Sequence, residues 1–259
     1  MGLFVGIVDI SPSAASVQYA EDPIGTITTN IFGVKNMLDF SIKHQAKQFL
    51  FASSVEVYGE NRGDTEFFDE DYCGYINSNS LRAGYPESKR CSEALGQAYK
   101  QHYGLDVRIA RIARSYGPTM SLRDSRAISQ FIINGIDKED IVLKSDGSQL
   151  FSYSYVADVV SGLHTILSKG DSGEAYNIAD EGSNISLKDL AHLVADYAGT
   201  KVVFDIPDVV EAAGYSKATK ALLNGNKLKA LGWRPNYTIK TGIPRTIDIL
   251  KETYFYNLL

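Results

Sequence analysis

An α/β architecture is the fold class this sequence predicts: a parallel sheet covered by helices, joined to a smaller C-terminal α/β lobe. Three observations predict it. The short apolar run LFVGIVDI at Leu3–Ile10 suits a buried parallel strand, and QFLFAS at Gln48–Ser53 and VRIARI at Val107–Ile112 read as two more strands. Stretches of helical periodicity separate these runs, which calls for right-handed βαβ crossovers. A chain of 259 residues, 44% hydrophobic and 22% charged, is long and apolar enough to bury a sizeable core.

The elements follow in chain order. Leu3–Ile10 (LFVGIVDI) reads as a first buried strand, followed by a loop of small residues at Ser11–Ser16. Pro23 suits the first turn of a helix, and Ile24, Ile27, Ile31, Val34, Leu38 and Ile42 then recur at helical spacing. Gln48–Ser53 is the second strand, Glu87–Tyr103 a helix ended by Gly104, and Val107–Ile112 the third strand before the turn Tyr116-Gly117-Pro118. The second half is more mixed. Ala127–Gly135, Val156–Leu167 and Leu187–Ala198 read as helices, the last with Ser186 as N-cap, and Ile141–Lys144 and Ala175–Ala179 as strands. Lys227–Leu231, the LGWRP turn and a helix near Gly242–Thr253 complete the tail. We divide the chain at 116: residues 1–116 form the parallel-sheet domain, 117–259 mainly the smaller lobe, and about 156–179 return to the first domain.

Composition narrows the function. A net charge of −5 argues against a nucleic-acid partner, which would demand a basic face. No apolar run reaches the roughly 18 residues of a membrane span, and the first basic residue is Lys35, so neither a membrane association nor a leader is expected. Cys73 and Cys91 form neither a disulfide framework nor a metal knuckle, and cytoplasmic residence is expected. His44, His102, His164 and His192 lack partners at ligand spacing, so no metal is expected.

The residues that suggest chemistry are Ser53-Ser54-Val55-Glu56-Val57-Tyr58-Gly59 and Tyr85-Pro86-Glu87-Ser88-Lys89. Tyr85 and Lys89 lie four apart, on one face of a helix. An ammonium beside a phenol favours phenolate and lowers the tyrosine pKa from about 10, which makes a general base for a sugar hydroxyl. Ser54 follows a strand at the end where open α/β sheets bind ligands, and its hydroxyl could share that proton. The pair alone is weak, since about one Tyr-x-x-x-Lys match arises by chance. A second pair, Tyr197 and Lys201, straddles the helix end at Gly199 and is set aside.

The flanking motifs add specificity. FASSVEVYGE, YPESKRCSEAL, RIARSYGP, SDGSQLFSYSYVADV, GEAYNIA and LGWRPNYTIKTGI resemble, in order, the extended short-chain dehydrogenase/reductase family. The nearest group is that of nucleotide-sugar epimerases, 4,6-dehydratases and UDP-glucuronate decarboxylases. The resemblance implies a Rossmann-like sheet with bound NAD, a lobe for a nucleotide-sugar substrate, and reaction through transient oxidation at C4. It makes Tyr85 the base and Lys89 its partner at the nicotinamide ribose. Ser54 would hold the sugar 4-hydroxyl, and Glu56 would fill the acidic position of the dehydratases and decarboxylases. Asn30, in NIFGVKNML, and Ser53 would lie beside the cofactor. Asp158 would cap or brace the helix that follows it, Trp233 would anchor the smaller lobe, and Cys91 would be a core thiol. A homodimer is implied by analogy, through the helices that carry Ile24–Ile42 and Glu87–Tyr103.

The sequence also departs from that pattern. No GxGxxG or GxxGxxG occurs among its 22 glycines, although such a turn lets backbone amides approach a pyrophosphate. The expectation is a chain lacking roughly 60–80 residues of the N-terminal part, about two βα units. Arg114 stands where the family usually has Asn, and Phe151 where it has Arg; Arg114 could hold a phosphate or a carboxylate of the substrate. The rival reading is a catalytically silent binding or assembly module without a working NAD site. A third possibility is a fragment that does not fold alone.

Overall fold

A computed structural model describes residues 5–8, 22–121, 124–206 and 219–256; the expected loop at Ser11–Ser16 lies outside these. Its centre is a four-stranded, all-parallel sheet in the order β1 (Val5–Val8), β2 (Gln48–Ser54), β3 (Asp106–Ile112), β7 (Ala175–Ile178). Side chains alternate across it. Phe49, Phe51, Val107 and Ile109 face the helices α1 (Pro23–Lys43) and α2 (Gly84–Tyr103), packing with Val34, Leu38 and Tyr99. Leu50, Ala110, Tyr176 and Ile178 face the other way, against Val159 and Ile166 of α4 (Val156–Lys169), Leu228 of the short helix α6 (Asn226–Ala230) and Trp233. Both faces are therefore covered, which is why β2 reads as a run of apolar residues and why the arginines of β3, Arg108 and Arg111, are held in ion pairs with Asp106 and Glu93. The α/β reading with a parallel sheet holds.

Local chemistry explains the boundaries. Asp22 accepts from the Gly25 amide at 2.8 Å and Pro23 fills the first turn of α1, where a missing N–H costs nothing. Gly104 ends α2 in the left-handed region at φ 70°, where a side chain would be strained. Ser186 caps the helix α5 (Leu187–Ala198) through the Asp189 amide at 3.0 Å. That helix stops before Gly199, so Tyr197 and Lys201 do not share a helical face.

The remaining strands form smaller sheets. β6 (Leu150–Tyr155) pairs parallel with β4 (Arg114–Tyr116) and β10 (Lys220–Ala221), and antiparallel with β8 (Asn184–Ser186). β5 (Ile141–Leu143) pairs parallel with β9 (Val202–Phe204). Helix α3 (Ala127–Asp137), α5 and α7 (Ile239–Tyr256) enclose the second core with Phe131, Ile132, Phe151, Tyr153, Leu190 and Ile243.

Four expectations are corrected. The apolar series on α1 does not all face the sheet: Ile24 is 74% exposed, and Phe32 is exposed as well, while Thr26 and Asn30 are buried. There α1 packs on α2 through a polar seam instead. Cys91 is exposed, because it lies two residues, or about 200° of helix, from the buried Lys89. Asp158 does not cap α4; its buried carboxylate accepts from the amides of Asn236 at 2.8 Å and Tyr237 at 2.9 Å, pinning the segment before α7. Trp233 packs on the parallel sheet, its indole Nε1 donating to Ser161 at 3.0 Å.

Candidate active site

Helix α2 begins three residues earlier than its periodicity predicts, so Tyr85 and Lys89 are both helical, one turn apart. Both are buried, at 4% and 1% exposure. The Lys89 ammonium lies 4.9 Å from the Phe51 ring centroid and 5.7 Å from that of Tyr85, and Nζ donates to the Ala52 carbonyl at 2.8 Å. A buried ammonium needs such acceptors and ring faces to offset its desolvation. The lysine is thus fixed at the C-terminal end of β2.

Ser54 ends that strand, half-buried, and its hydroxyl accepts from the Glu56 amide at 3.2 Å. This bond caps a 3-10 turn, Val55–Tyr58, that carries Glu56 in an exposed position. Ser53 points to the other side: its hydroxyl donates to Glu93 at 2.6 Å. Asn30 is buried between α1 and α2. Its Nδ2 donates to Ser88 at 3.0 Å, and the Ser88 hydroxyl in turn donates to the Tyr85 carbonyl at 2.7 Å. Asn30 Oδ1 has no hydrogen-bond partner among the described residues. Arg114 opens β4, its guanidinium carbon 3.7 Å from the Phe151 ring centroid.

Residues that sequence reasoning passed over hold this arrangement. Glu93, on the Lys89 face of α2, binds Arg111 through Arg111 Nη2 at 2.8 Å as well as Ser53. Arg111 Nη1 donates to the Tyr58 hydroxyl at 3.1 Å, and that hydroxyl donates to Asn177 at 2.7 Å. Burial raises the Tyr58 pKa despite the Arg111 charge, so Tyr58 stays a neutral donor. Arg90 donates to the carbonyls of Val57 at 2.7 Å and Gly74 at 2.8 Å, fixing the turn that carries Glu56. Spacing alone signalled Glu93, one turn beyond Lys89; Arg90 and Ser88 carry no signal apart from their place beside Lys89.

The family described as the NAD dependent epimerase/dehydratase family matches residues 8–179. The chain belongs to that family. A curated relative, UDP-glucuronic acid decarboxylase 1 of Arabidopsis thaliana, is 32% identical over 242 residues. That alignment covers 93% of this chain and 54% of the relative, so the chain spans about half the relative's length. UDP-glucuronic acid decarboxylase 6 of the same plant is 32% identical, over 92% of this chain and 67% of its own. Among solved structures, UDP-glucose 4-epimerase of Thermotoga maritima with UDP-glucose matches with a TM-score of 0.85 at 25% identity, over 96% of this chain and 78% of that one. DesIV of Streptomyces venezuelae, a dTDP-glucose 4,6-dehydratase with NAD bound, matches in fold with a TM-score of 0.81 at 24% identity, over 97% and 74%. Membership of the epimerase/dehydratase family agrees with the ordered motifs from FASSVEVYGE onward.

Proposed function

We propose that this member of the epimerase/dehydratase family is an NAD-dependent enzyme, an isomerase or lyase, that transiently oxidises C4 of a UDP- or dTDP-linked sugar. The observation that carries the reading is Tyr85 and Lys89 on one buried helical face against the end of β2, where Ser54 emerges. Tyr85 takes the proton of the sugar 4-hydroxyl, and Ser54 hydrogen-bonds that same hydroxyl. Lys89, anchored at the Ala52 carbonyl, brings the positive charge that favours phenolate on Tyr85. NAD, when bound, supplies the hydride acceptor for C4. Glu56 serves as an acid/base at C5 once C4 is a ketone, which favours decarboxylase- or dehydratase-like chemistry over simple epimerisation. Arg114 binds the substrate. The relatives named UDP-glucuronic acid decarboxylase and the neighbour with UDP-glucose support that substrate class.

The residues present fit the nicotinamide-ribose end of NAD. Lys89 and Tyr85 converge at the sheet's ligand-binding edge, and Asn30 keeps an unfilled buried acceptor behind them. Ser53, its hydroxyl held by Glu93, would meet the cofactor through its main chain. The sequence has no Gly-rich turn for the pyrophosphate, and this favours a second reading, a silent nucleotide-sugar-binding or assembly module. The first reading also includes a homodimer through the exposed apolar residues of α1, such as Ile24 and Phe32, and a reducing cytoplasm for the exposed thiols of Cys73 and Cys91. It keeps residues 1–116 as the cofactor part and 117–259 as mainly the substrate part. Incubation with NAD and a panel of UDP- and dTDP-sugars, followed by proton NMR of the anomeric signals, tests it. New anomeric signals support the enzyme; a folded chain that binds a sugar nucleotide and converts none supports the module.

A further inference from the structure

We infer that Arg90 is the positioning residue that sets Glu56 for its work at C5; this rests on the reaction proposed above. Consecutive residues of α2 grip one stretch of chain. Lys89 Nζ donates to the Ala52 carbonyl at 2.8 Å, and Arg90 Nε donates to the Val57 carbonyl at 2.7 Å. The two anchored carbonyls bracket Ser53, Ser54, Val55 and Glu56. The helix that carries Tyr85 therefore holds both ends of the segment that carries Ser54 and Glu56.

The same guanidinium ties the turn to a second segment. Arg90 Nη2 donates to the Gly74 carbonyl at 2.8 Å. Nε and Nη2 lie along one edge of a planar group, so a single rigid fork joins the 3-10 turn to the loop beside it. The two segments touch closely there. The Glu60 amide donates to the Tyr75 carbonyl at 2.9 Å, and a Cβ on Gly74 would overlap the Tyr58 carbonyl oxygen. Gly59, at φ 70°, ends the turn, and its amide donates to the Glu56 carbonyl at 3.1 Å. Within the turn Val55, Val57 and Tyr58 are buried, and Glu56 alone is exposed. Glu56 is thus held at its amide by Ser54, at its carbonyl by Gly59, and through Val57 by Arg90, with its carboxylate facing outward. C4 and C5 are neighbouring ring atoms, so Tyr85 and Glu56 must keep a set spacing to serve both. A shift of about 1 Å costs on the order of 100-fold in rate. Arg90 keeps that spacing, because Glu56 is braced from the helix that bears Tyr85.

Steady-state kinetics of the full chain with NAD and UDP-glucuronate or dTDP-glucose, in a double-mutant cycle of Arg90→Met and Glu56→Gln, tests this. Each single variant is expected to lower kcat by about 10- to 100-fold with KM little changed. Nicotinamide fluorescence should still show reduced cofactor forming in both, because the groups that act at C4 are intact. The double variant is expected to be no slower than Glu56→Gln, since Arg90 then has nothing left to position. Losses that multiply, or an Arg90→Met variant that no longer forms reduced cofactor, overturn the inference and leave the proposed function standing. An Arg90→Met variant as fast as the wild type overturns it too. If Arg90→Met does not fold, Arg90→Lys takes its place in the cycle; it keeps the charge but not the two-donor edge, and a several-fold loss is expected. A wild type that converts neither sugar nucleotide, nor any other of the UDP- and dTDP-sugar panel, overturns the proposed reaction and the inference with it.

Discussion

Lys89 donates its ammonium proton to the Ala52 carbonyl at 2.8 Å, tying the second turn of α2 to the end of β2. This single bond orders both the fold and the site, because Ala52 precedes Ser53 and Ser54, and Lys89 follows Tyr85 by one turn. Replacing Lys89 with Met keeps the length of the stem and removes the donor. The Ala52 carbonyl loses a charge-assisted hydrogen bond, for an expected loss of about 1–3 kcal/mol in urea unfolding.

Tyr85→Phe removes only a hydroxyl and keeps the ring against Lys89. An unchanged melt and unchanged sugar-nucleotide binding are expected, with turnover reduced by about 10²- to 10⁴-fold. A variant that retains its turnover removes Tyr85 from the role of base.

Glu93 and Arg111 form a largely buried pair, with side-chain exposures of 12% and 14%. Glu93→Gln leaves the Arg111 charge without its counterion and loosens Ser53 as well. A destabilisation of about 3 kcal/mol is expected. A double-mutant cycle with Arg111→Met measures the coupling, and additive losses would show that the pair does not act as a unit.

Tyr99 is buried at the base of α2, and its hydroxyl donates to Asp39 of α1. Burial, and then the Asp39 carboxylate, push its pKa up to about 12. A phenol whose pKa is higher in the folded state stabilises the fold fully below its ordinary value of about 10, and that contribution is lost as pH rises toward 12. Stability measured from pH 9 to 12 should fall for the wild type over this window, and the part of the fall due to Tyr99 should vanish in Tyr99→Phe. Identical pH profiles would contradict it.

The parts of the fold that the sequence announced are those with strong local causes. VRIARI and QFLFAS were legible as strands because both faces of the sheet are covered, and the end of α2 because Gly104 takes φ 70°. The start of α2 was not legible: no side chain caps it, and the 3-10 turn Leu81–Ala83 leads directly into Gly84. Helix α7 begins at Ile239, ahead of the predicted start near Gly242, because Thr241 accepts from the Thr238 amide at 3.0 Å and Pro244 is tolerated within the helix. Strands β8 and β10 are too short to show a period, and only their pairing with β6 creates them. In the candidate site, Tyr85 and Lys89 were readable from helical spacing. The supports from Glu93, Arg111 and Asn177 join residues far apart in sequence, and no local pattern encodes them.

The edge formed by Ser54, Tyr85 and Lys89 is proposed to receive a nicotinamide cofactor. Titration of the folded chain with NADH, followed by nicotinamide fluorescence, tests it most directly. Saturable binding at micromolar strength is expected, weakened by Lys89→Met. A chain that melts cooperatively and binds no NADH would contradict it.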